Sequence, residues 1–436
     1  MTSNAVQPTG HPLPPSPELP EFVAARVERF YRERVRNAWG GRHILRGRQP
    51  GPDALHLSSN DYLALSRHPR ILTSMADTLA RDGNGMLMSG IFLHGESPQL
   101  AFEQDLAAFM QAQGGVLCQS GYCANTGLMQ SIAGDQVPVY VDMLAHMSLW
   151  EGIRSAGAPE VIFHHNEPEH LERQILRHGP GIIVVDTVYS TNGSVCPLRD
   201  IADVAAVRGC VLVADESHSL GTHGPNGEGL VVELGLAQRV HFRTASLAKA
   251  FAARAGFIAC TAPFTDYFKF ESLPAIFSST LLPHEVAGLR ATLGVIRTEG
   301  WRREKLRANS AYLRDGMEGL GYNLNDSQSQ IIGLESGTEQ QTISLRDALE
   351  ERGIFGSVFC APATPKNRSM VRLSLNSALN QQELDRILDA CAEIRSGTAF
   401  TQWSSTRRRR NEPRTGTAVA EATRARVRLA GAPSGG

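Results

Sequence analysis

The stretch GIIVVDTVYSTNGSVCPLRDIADVAAVRGCVLVADESHS, residues 181–219, holds two apolar blocks, GIIVVD and CVLVAD, on either side of an amphipathic segment, Leu198–Val207. Neither block alternates apolar with polar residues, so each reads as a strand covered on both faces, and a helix-length crossover between them is what a parallel pair requires. Similar runs lie further out. PVYVD (138–142) and EVIFHH (160–165) come before, HFRTAS (241–246) and GFIAC (256–260) come after, with crossover segments at His146–Ala156 and Pro168–Arg177. This repetition predicts an α/β domain with a mostly parallel sheet between helices.

After about residue 283 the pattern changes. Longer helical segments, Glu285–Arg297 and Arg302–Gly319, are followed by the spaced strand runs QIIGLES, IFGSVFCAP and MVRLSLN. A smaller α+β C-terminal domain with a small, partly antiparallel sheet fits this pattern. The expected organisation is a disordered leader (1–19), an N-terminal arm (20–60), a large domain (61–283), a small domain (284–400) and a disordered basic tail (401–436). The leader is rich in Pro, Ser, Thr and Gly, so it offers little apolar area to offset ordering entropy. The tail carries Arg407 to Arg410, and reads either as a solvated segment or as a contact for an acidic surface or nucleic acid.

Composition narrows the partners. The 436 residues are 42% hydrophobic and 20% charged with a formal charge of -1, which argues against a whole-surface attraction to nucleic acid or membrane. No run approaches the roughly 20 apolar residues of a membrane span, and no basic region precedes an apolar one at the N-terminus, so a cytoplasmic protein is expected. Seven cysteines without a CxxC pair read as small buried hydrophobes in a reducing compartment, and no metal site is expected.

Ligands of α/β sheets gather beyond the carboxyl ends of strands. Asp215 closes CVLVAD and is followed by Glu216, Ser217 and His218. An Asp there also serves as a cap or loop anchor, but Lys249 follows the next strand in the segment TASLAKAFAARAG. Apolar neighbours on both sides of Lys249 lower an amine's pKa and ready it for Schiff-base formation. A Schiff-base lysine, a carboxylate for a pyridinium nitrogen and an anion-binding helix start at SGYCANTG (120–127) are together what pyridoxal phosphate needs. A nicotinamide cofactor would need GxGxxG after the first strand, and none is there.

Six segments in order, LSSNDYLALSRHP (57–69), SGYCAN (120–125), DMLAHMSLWEG (142–152), VADESHSLGTHGPNG (213–227), the lysine segment and VRLSLNSALN (371–380), resemble the α-oxoamine synthase family of pyridoxal-phosphate enzymes of fold type I. Within it, RHGPGIIVVDTVYST, PAIFSSTLLP and GIFGSVFCAPAT are most similar to the α-hydroxyketone-type quorum-sensing autoinducer synthases. The resemblance covers about residues 21 to 396 and implies a seven-stranded large-domain sheet. It further implies a cytoplasmic homodimer with shared active sites, and condensation of an amino acid with an acyl-CoA. By position, Lys249 would hold the cofactor and act as base, Asp215 would pair with the pyridinium nitrogen, and His218 would contact the ring hydroxyl. His146 would stack on the ring, Gly121, Tyr122 and Ser246 would serve the phosphate, and Ser190 would lie beside the ring. Arg372 would grip the substrate carboxylate with help from Asn60, and Arg34, Arg36 or Arg42 would be candidates for acyl-CoA phosphates.

In the autoinducer subgroup the acyl donor would be a medium-chain acyl-CoA, and the amino donor S-adenosylmethionine or 2-aminobutyrate. The alternatives are a glycine C-acetyltransferase, an 8-amino-7-oxononanoate synthase, or a catalytically silent regulatory subunit, the last opposed by the presence of Lys249, Asp215 and His218. Two departures from the broader family point to an unusual substrate pocket: Ala250 to Arg254 replace a glycine-rich tract, and Gln99 stands where a histidine is usual.

Overall fold

A computed structural model describes residues 17–408; the leader up to residue 16 and the tail from residue 409 lie outside the described residues. The described residues form two compact units, one up to Gly47 and one from Arg48 on. In the first, a helix over Glu21–Phe30 runs on as a π-helical stretch, Tyr31–Ala38, and buries none of its own side chains. Arg36 is paired with Glu28, and the Arg34 guanidinium lies 5.1 Å from the Trp39 ring centre.

In the second unit, twelve strands are described: β1 (Leu55–His56), β2 (Gly114–Cys118), β3 (Val139–Asp142), β4 (Glu160–Phe163), β5 (Ile182–Asp186), β6 (Val211–Asp215), β7 (Phe242–Ser246), β8 (Gly256–Cys260), β9 (Ile331–Gly337), β10 (Ile354–Phe355), β11 (Ser357–Phe359) and β12 (Ser369–Ser374). Seven of them form one sheet in the order β2-β8-β7-β6-β5-β3-β4, in which only β8 runs against the others. The unbroken apolar runs have the expected cause. Val139, Val141, Val184 and Val213 pack with Leu128, Leu149 and Ile153, from the helices Gly121–Ile132 and Met147–Ser155. The intervening Tyr140, Ile183, Val185 and Leu212 pack with Leu171, Ile175 and Ile201 from the helices Pro168–His178 and Leu198–Arg208. Alternate residues therefore face two different cores, and both must be apolar.

The GGVLC strand, β2, was not anticipated. A Cβ on its Gly115 would fall 2.1 Å from Phe257 Cζ on the neighbouring strand, so the glycine is there for close packing. The smaller sheet also differs from expectation. IFGSVFCAP is broken at Gly356 into two strands: β10 pairs in parallel with β1, while β11, β12 and β9 form a sheet that is antiparallel throughout.

One hydrophobic core runs from Leu55 through Leu293 to Trp403, crossing position 283 without a break. The change there is one of sheet, not of core. Disorder beginning at 401 does not hold for residues 401–408: Trp403 is fully buried against Tyr322 and Phe400, Ser404–Arg407 makes a helical turn, and Arg408 Nη2 donates to Glu335 Oε2 at 3.0 Å. No described helix is long and apolar enough to cross a membrane.

Candidate active site

The strand order sets where the chemistry collects. From β3 the chain steps outward to β4, then returns to the other side of β3 for β5, β6 and β7, so the sheet's switch point lies between β3 and β5. There the amide of His146, just past β3, donates to Asp186 Oδ1 at the end of β5 (3.1 Å). In register beside Asp186, Asp215 ends β6.

Two cavities open at this edge. The inner one, about 210 Å³, is bordered by Ser120, Gly121, Tyr122, Asn125, His146, Asp186, Asp215, Ser217, His218, Ser246 and Lys249. The outer one, about 660 Å³, is bordered by Asn60, Ser190, Thr191, Arg372 and the apolar Met143, Met147, Trp150, Ile162 and Phe359, and shares His146, His218 and Lys249 with the inner one. The ten residues given cofactor or amino-acid roles from sequence all border one cavity or both. The three shared residues stand between the two spaces.

The inner floor is built from strand ends and a helix start. Ser120 caps the helix Gly121–Ile132 by accepting from Cys123 N at 3.1 Å. Gly121 and Tyr122 occupy the first turn, where amides have no carbonyl one turn back to bind, so their N–H groups suit an anion. A Cβ on Gly121 would come 2.5 Å from Ser246 Cβ, and the close approach keeps the wall thin enough to leave space. Asp215 Oδ2 accepts from Asn125 Nδ2 at 2.7 Å, and Oδ1 from Ser217 N at 2.8 Å, which fixes its carboxylate. Ser217 Oγ in turn accepts from Ser246 N at 2.7 Å.

Lys249 lies in the loop between the antiparallel strands β7 and β8, not near a helix start. The loop closes on itself through Leu247 N to Ala255 O (2.9 Å) and Ala252 N to Lys249 O (2.9 Å). Its apolar neighbours Ala245, Leu247, Ala250 and Phe251 are buried. Burial and the charge of Arg372 lower the Lys249 pKa, partly offset by Asp215. His146 is likewise lowered by burial, and its Nδ1 accepts from Ser148 N as a helix cap (3.3 Å). Burial, then Lys249 and Arg372, hold His218 well below the usual imidazole range. The Tyr62 hydroxyl lies 2.7 Å from His218 Nδ1.

In the outer cavity Arg372 is buried on β12. Nη1 donates to the Ser190 carbonyl (2.7 Å), Nη2 to Asn60 Oδ1 (3.0 Å), and the guanidinium lies 4.6 Å from the centre of the Phe359 ring. Nε is buried without an acceptor, and unmet donors of this kind gather at functional sites. Tyr62, Asn125 and Asp186 were not singled out from sequence, although Tyr62 and Asn125 fall in motif segments and Asp186 ends an apolar run as Asp215 does. Gln99 lies elsewhere, buried, with Nε2 on Glu103 Oε1 at 3.2 Å and Oε1 accepting from Thr280 Oγ1 at 2.5 Å.

Comparison with known proteins places this geometry. Residues 52–391 match the family model "Aminotransferase class I and II". The chain is 45% identical over 380 residues to the CAI-1 autoinducer synthase of Vibrio campbellii, covering 87% of this chain and 96% of that protein. It is 33% identical to the putative 8-amino-7-oxononanoate synthase 2 of Mycobacterium tuberculosis over 78% of this chain, but spans only 44% of that longer protein. Among solved structures, the serine palmitoyltransferase of S. paucimobilis with a bound PLP–myriocin aldimine superposes with a TM-score of 0.78 at 23% identity, over 87% of this chain and 98% of that one.

Proposed function

Because the chain belongs to the class I and II aminotransferase family, in its α-oxoamine synthase branch, we propose that it is a pyridoxal-phosphate-dependent acyltransferase of autoinducer synthesis. It joins an amino acid to a medium-chain acyl-CoA, with loss of CO2 and CoA, and the product is an α-aminoketone. One observation carries the reading: an inner cavity with an anion-binding helix start at one side and a fixed carboxylate at another shares Lys249 with an outer cavity that holds Arg372.

The residues present fit the cofactor. Gly121, Tyr122 and Ser246 would hold its phosphate, Asp215 would pair with its ring nitrogen, His218 would contact its ring oxygen, His146 would lie against its face, and Lys249 would carry it. When bound, pyridoxal phosphate supplies a sink for the electron pair left on the substrate α-carbon. The protein supplies the rest. Arg372, steered by Asn60 and the Ser190 carbonyl, grips the substrate carboxylate in a planar fork and so sets which α-carbon bond faces Lys249. Lys249, whose amine burial shifts toward its neutral form, is the proposed base for the α-proton. The apolar wall of Met143, Met147, Trp150, Ile162 and Phe359 suits an alkyl chain.

A homodimer with shared sites belongs to the same proposal. Met86, Leu87, Phe92, Phe270, Leu273 and Phe277 are exposed, and Met86 and Phe92 border a further cavity of about 350 Å³. A patch of this kind is normally covered.

The test is to incubate the purified protein with a panel of amino acids and acyl-CoAs and follow CoA and CO2 release. Release greatest with a medium-chain acyl-CoA and S-adenosylmethionine or 2-aminobutyrate is the expected result. Preference for glycine or alanine would instead move the chain to the glycine C-acetyltransferases or 8-amino-7-oxononanoate synthases, the latter being the name carried by the M. tuberculosis relative.

A further inference from the structure

We propose that Tyr62 is a positioning residue: it holds His218 in the tautomer with its proton on Nε2, and Asn60 links that setting to Arg372. The chemical meaning of this rests on the cofactor reading above.

Tyr62 is 0% exposed, so its hydroxyl proton must go to a protein acceptor. The partners in reach are His218 Nδ1 at 2.7 Å, Asn60 Oδ1 at 3.3 Å and the Ser374 side chain, whose hydrogen bond lowers the Tyr62 pKa and so marks Ser374 as a donor to the phenol oxygen. The Asn60 atom is fixed as oxygen because Arg372 Nη2 meets it at 3.0 Å, and a guanidinium has nothing but donors.

A hydroxyl has one proton to give, so two arrangements exist. If Tyr62 donates to Asn60 or Ser374, His218 must donate from Nδ1, and its Nε2 becomes an acceptor. If Tyr62 donates to His218, the imidazole proton sits on Nε2, which becomes a donor. The shorter contact favours the second arrangement, and Asn60 Oδ1 already takes the Arg372 proton, which makes it the poorer acceptor. Burial and the positive charges of Lys249 and Arg372 work against a doubly protonated ring.

The Gln330 side chain holds the His218 carbonyl at 2.8 Å, which fixes the backbone while Tyr62 fixes the ring. With Nδ1 taken, Nε2 is the nitrogen left for the cavities that His218 borders. A donor there suits an ionised ring oxygen; an acceptor would repel it.

The experiment is histidine-selective nitrogen NMR on the cofactor-free, full-length protein at mildly alkaline pH, with the His218 signals assigned from a His218→Gln variant. The wild type should show a protonated Nε2 and a bare Nδ1. In Tyr62→Phe the Nδ1 signal should move toward the protonated position as the tautomers mix. Asn60→Asp, a stronger acceptor that draws the Tyr62 proton away, should move it in the same direction, and it carries the test if Tyr62→Phe does not fold. Turnover of Tyr62→Phe should drop by up to about tenfold, the range of one neutral hydrogen bond, with KM for the amino acid unchanged. A wild-type proton on Nδ1, or a tautomer indifferent to both substitutions, would overturn the proposal. Failure to bind pyridoxal phosphate would strike at the functional reading alone, since the tautomer is read without cofactor.

Discussion

Asp186 and Asp215 end adjacent strands in register, yet their surroundings treat them differently. Both oxygens of Asp215 accept hydrogen bonds, whereas Asp186 receives the His146 amide on Oδ1 and is raised well above the usual carboxylate range by burial and by Asp215. Above about pH 4 the unfolded chain ionises this group while the folded protein keeps it protonated. The folded state then binds more protons, and stability falls as pH rises. Asp186→Asn keeps the acceptor for His146 and removes that cost. In cofactor-free protein the variant should therefore gain stability over the wild type as pH rises from about 4 toward neutrality, with no difference below it; urea unfolding at several pH values measures this, and a pH-independent gap would contradict it. Asp215 stood out in the sequence because His218 and Lys249 follow it in motif order. Asp186 has the same local signal, an acid closing an apolar run, but nothing beside it in the chain marks it. Tyr62 and Asn125 were within reach of the motifs and still not legible, because which polar side chain turns inward depends on helix phase and on packing between distant segments.

At the scale of elements, the loop from β7 to β8 holds Lys249 where the broader family expectation was a glycine-rich tract. Ala252 there has φ 50°, a left-handed conformation that costs an L-residue roughly 1–2 kcal/mol. Ala252→Gly removes that strain while adding freedom to the unfolded chain, worth about 0.5–1 kcal/mol the other way. The net expectation is a gain of up to about 1.5 kcal/mol in denaturant unfolding, and a clear loss would show that the alanine methyl makes packing that outweighs the strain. The parallel core strands were legible because burial on both faces leaves an unbroken apolar run. The β1–β10 pair was not: two residues per strand give no periodicity, and their pairing joins segments about 300 residues apart. The packed residues 401–408 were hidden in the same way, since an arginine run looks solvated until Glu335 and Asp326 are seen beside Arg408.

For the whole molecule, the exposed apolar face is the feature that a single chain leaves unexplained. Phe277 is 80% exposed and Phe270 75%, near a segment tied by Ser89 Oγ to the Ala275 carbonyl at 3.0 Å. Light scattering should give a dimer, and Phe277→Asp should shift it toward monomer and lower turnover together, as the proposed sharing of sites requires; a wild-type monomer with full activity would contradict this. The central claim is narrower and can be tested directly. The purified protein is reduced with borohydride, digested, and its peptides weighed by mass spectrometry. The account predicts a visible absorbance band that disappears on reduction and a reduced pyridoxyl adduct on the peptide carrying Lys249, absent in Lys249→Ala, which stays folded and turns nothing over. An adduct on a different lysine, or none after the cofactor is supplied, would contradict it.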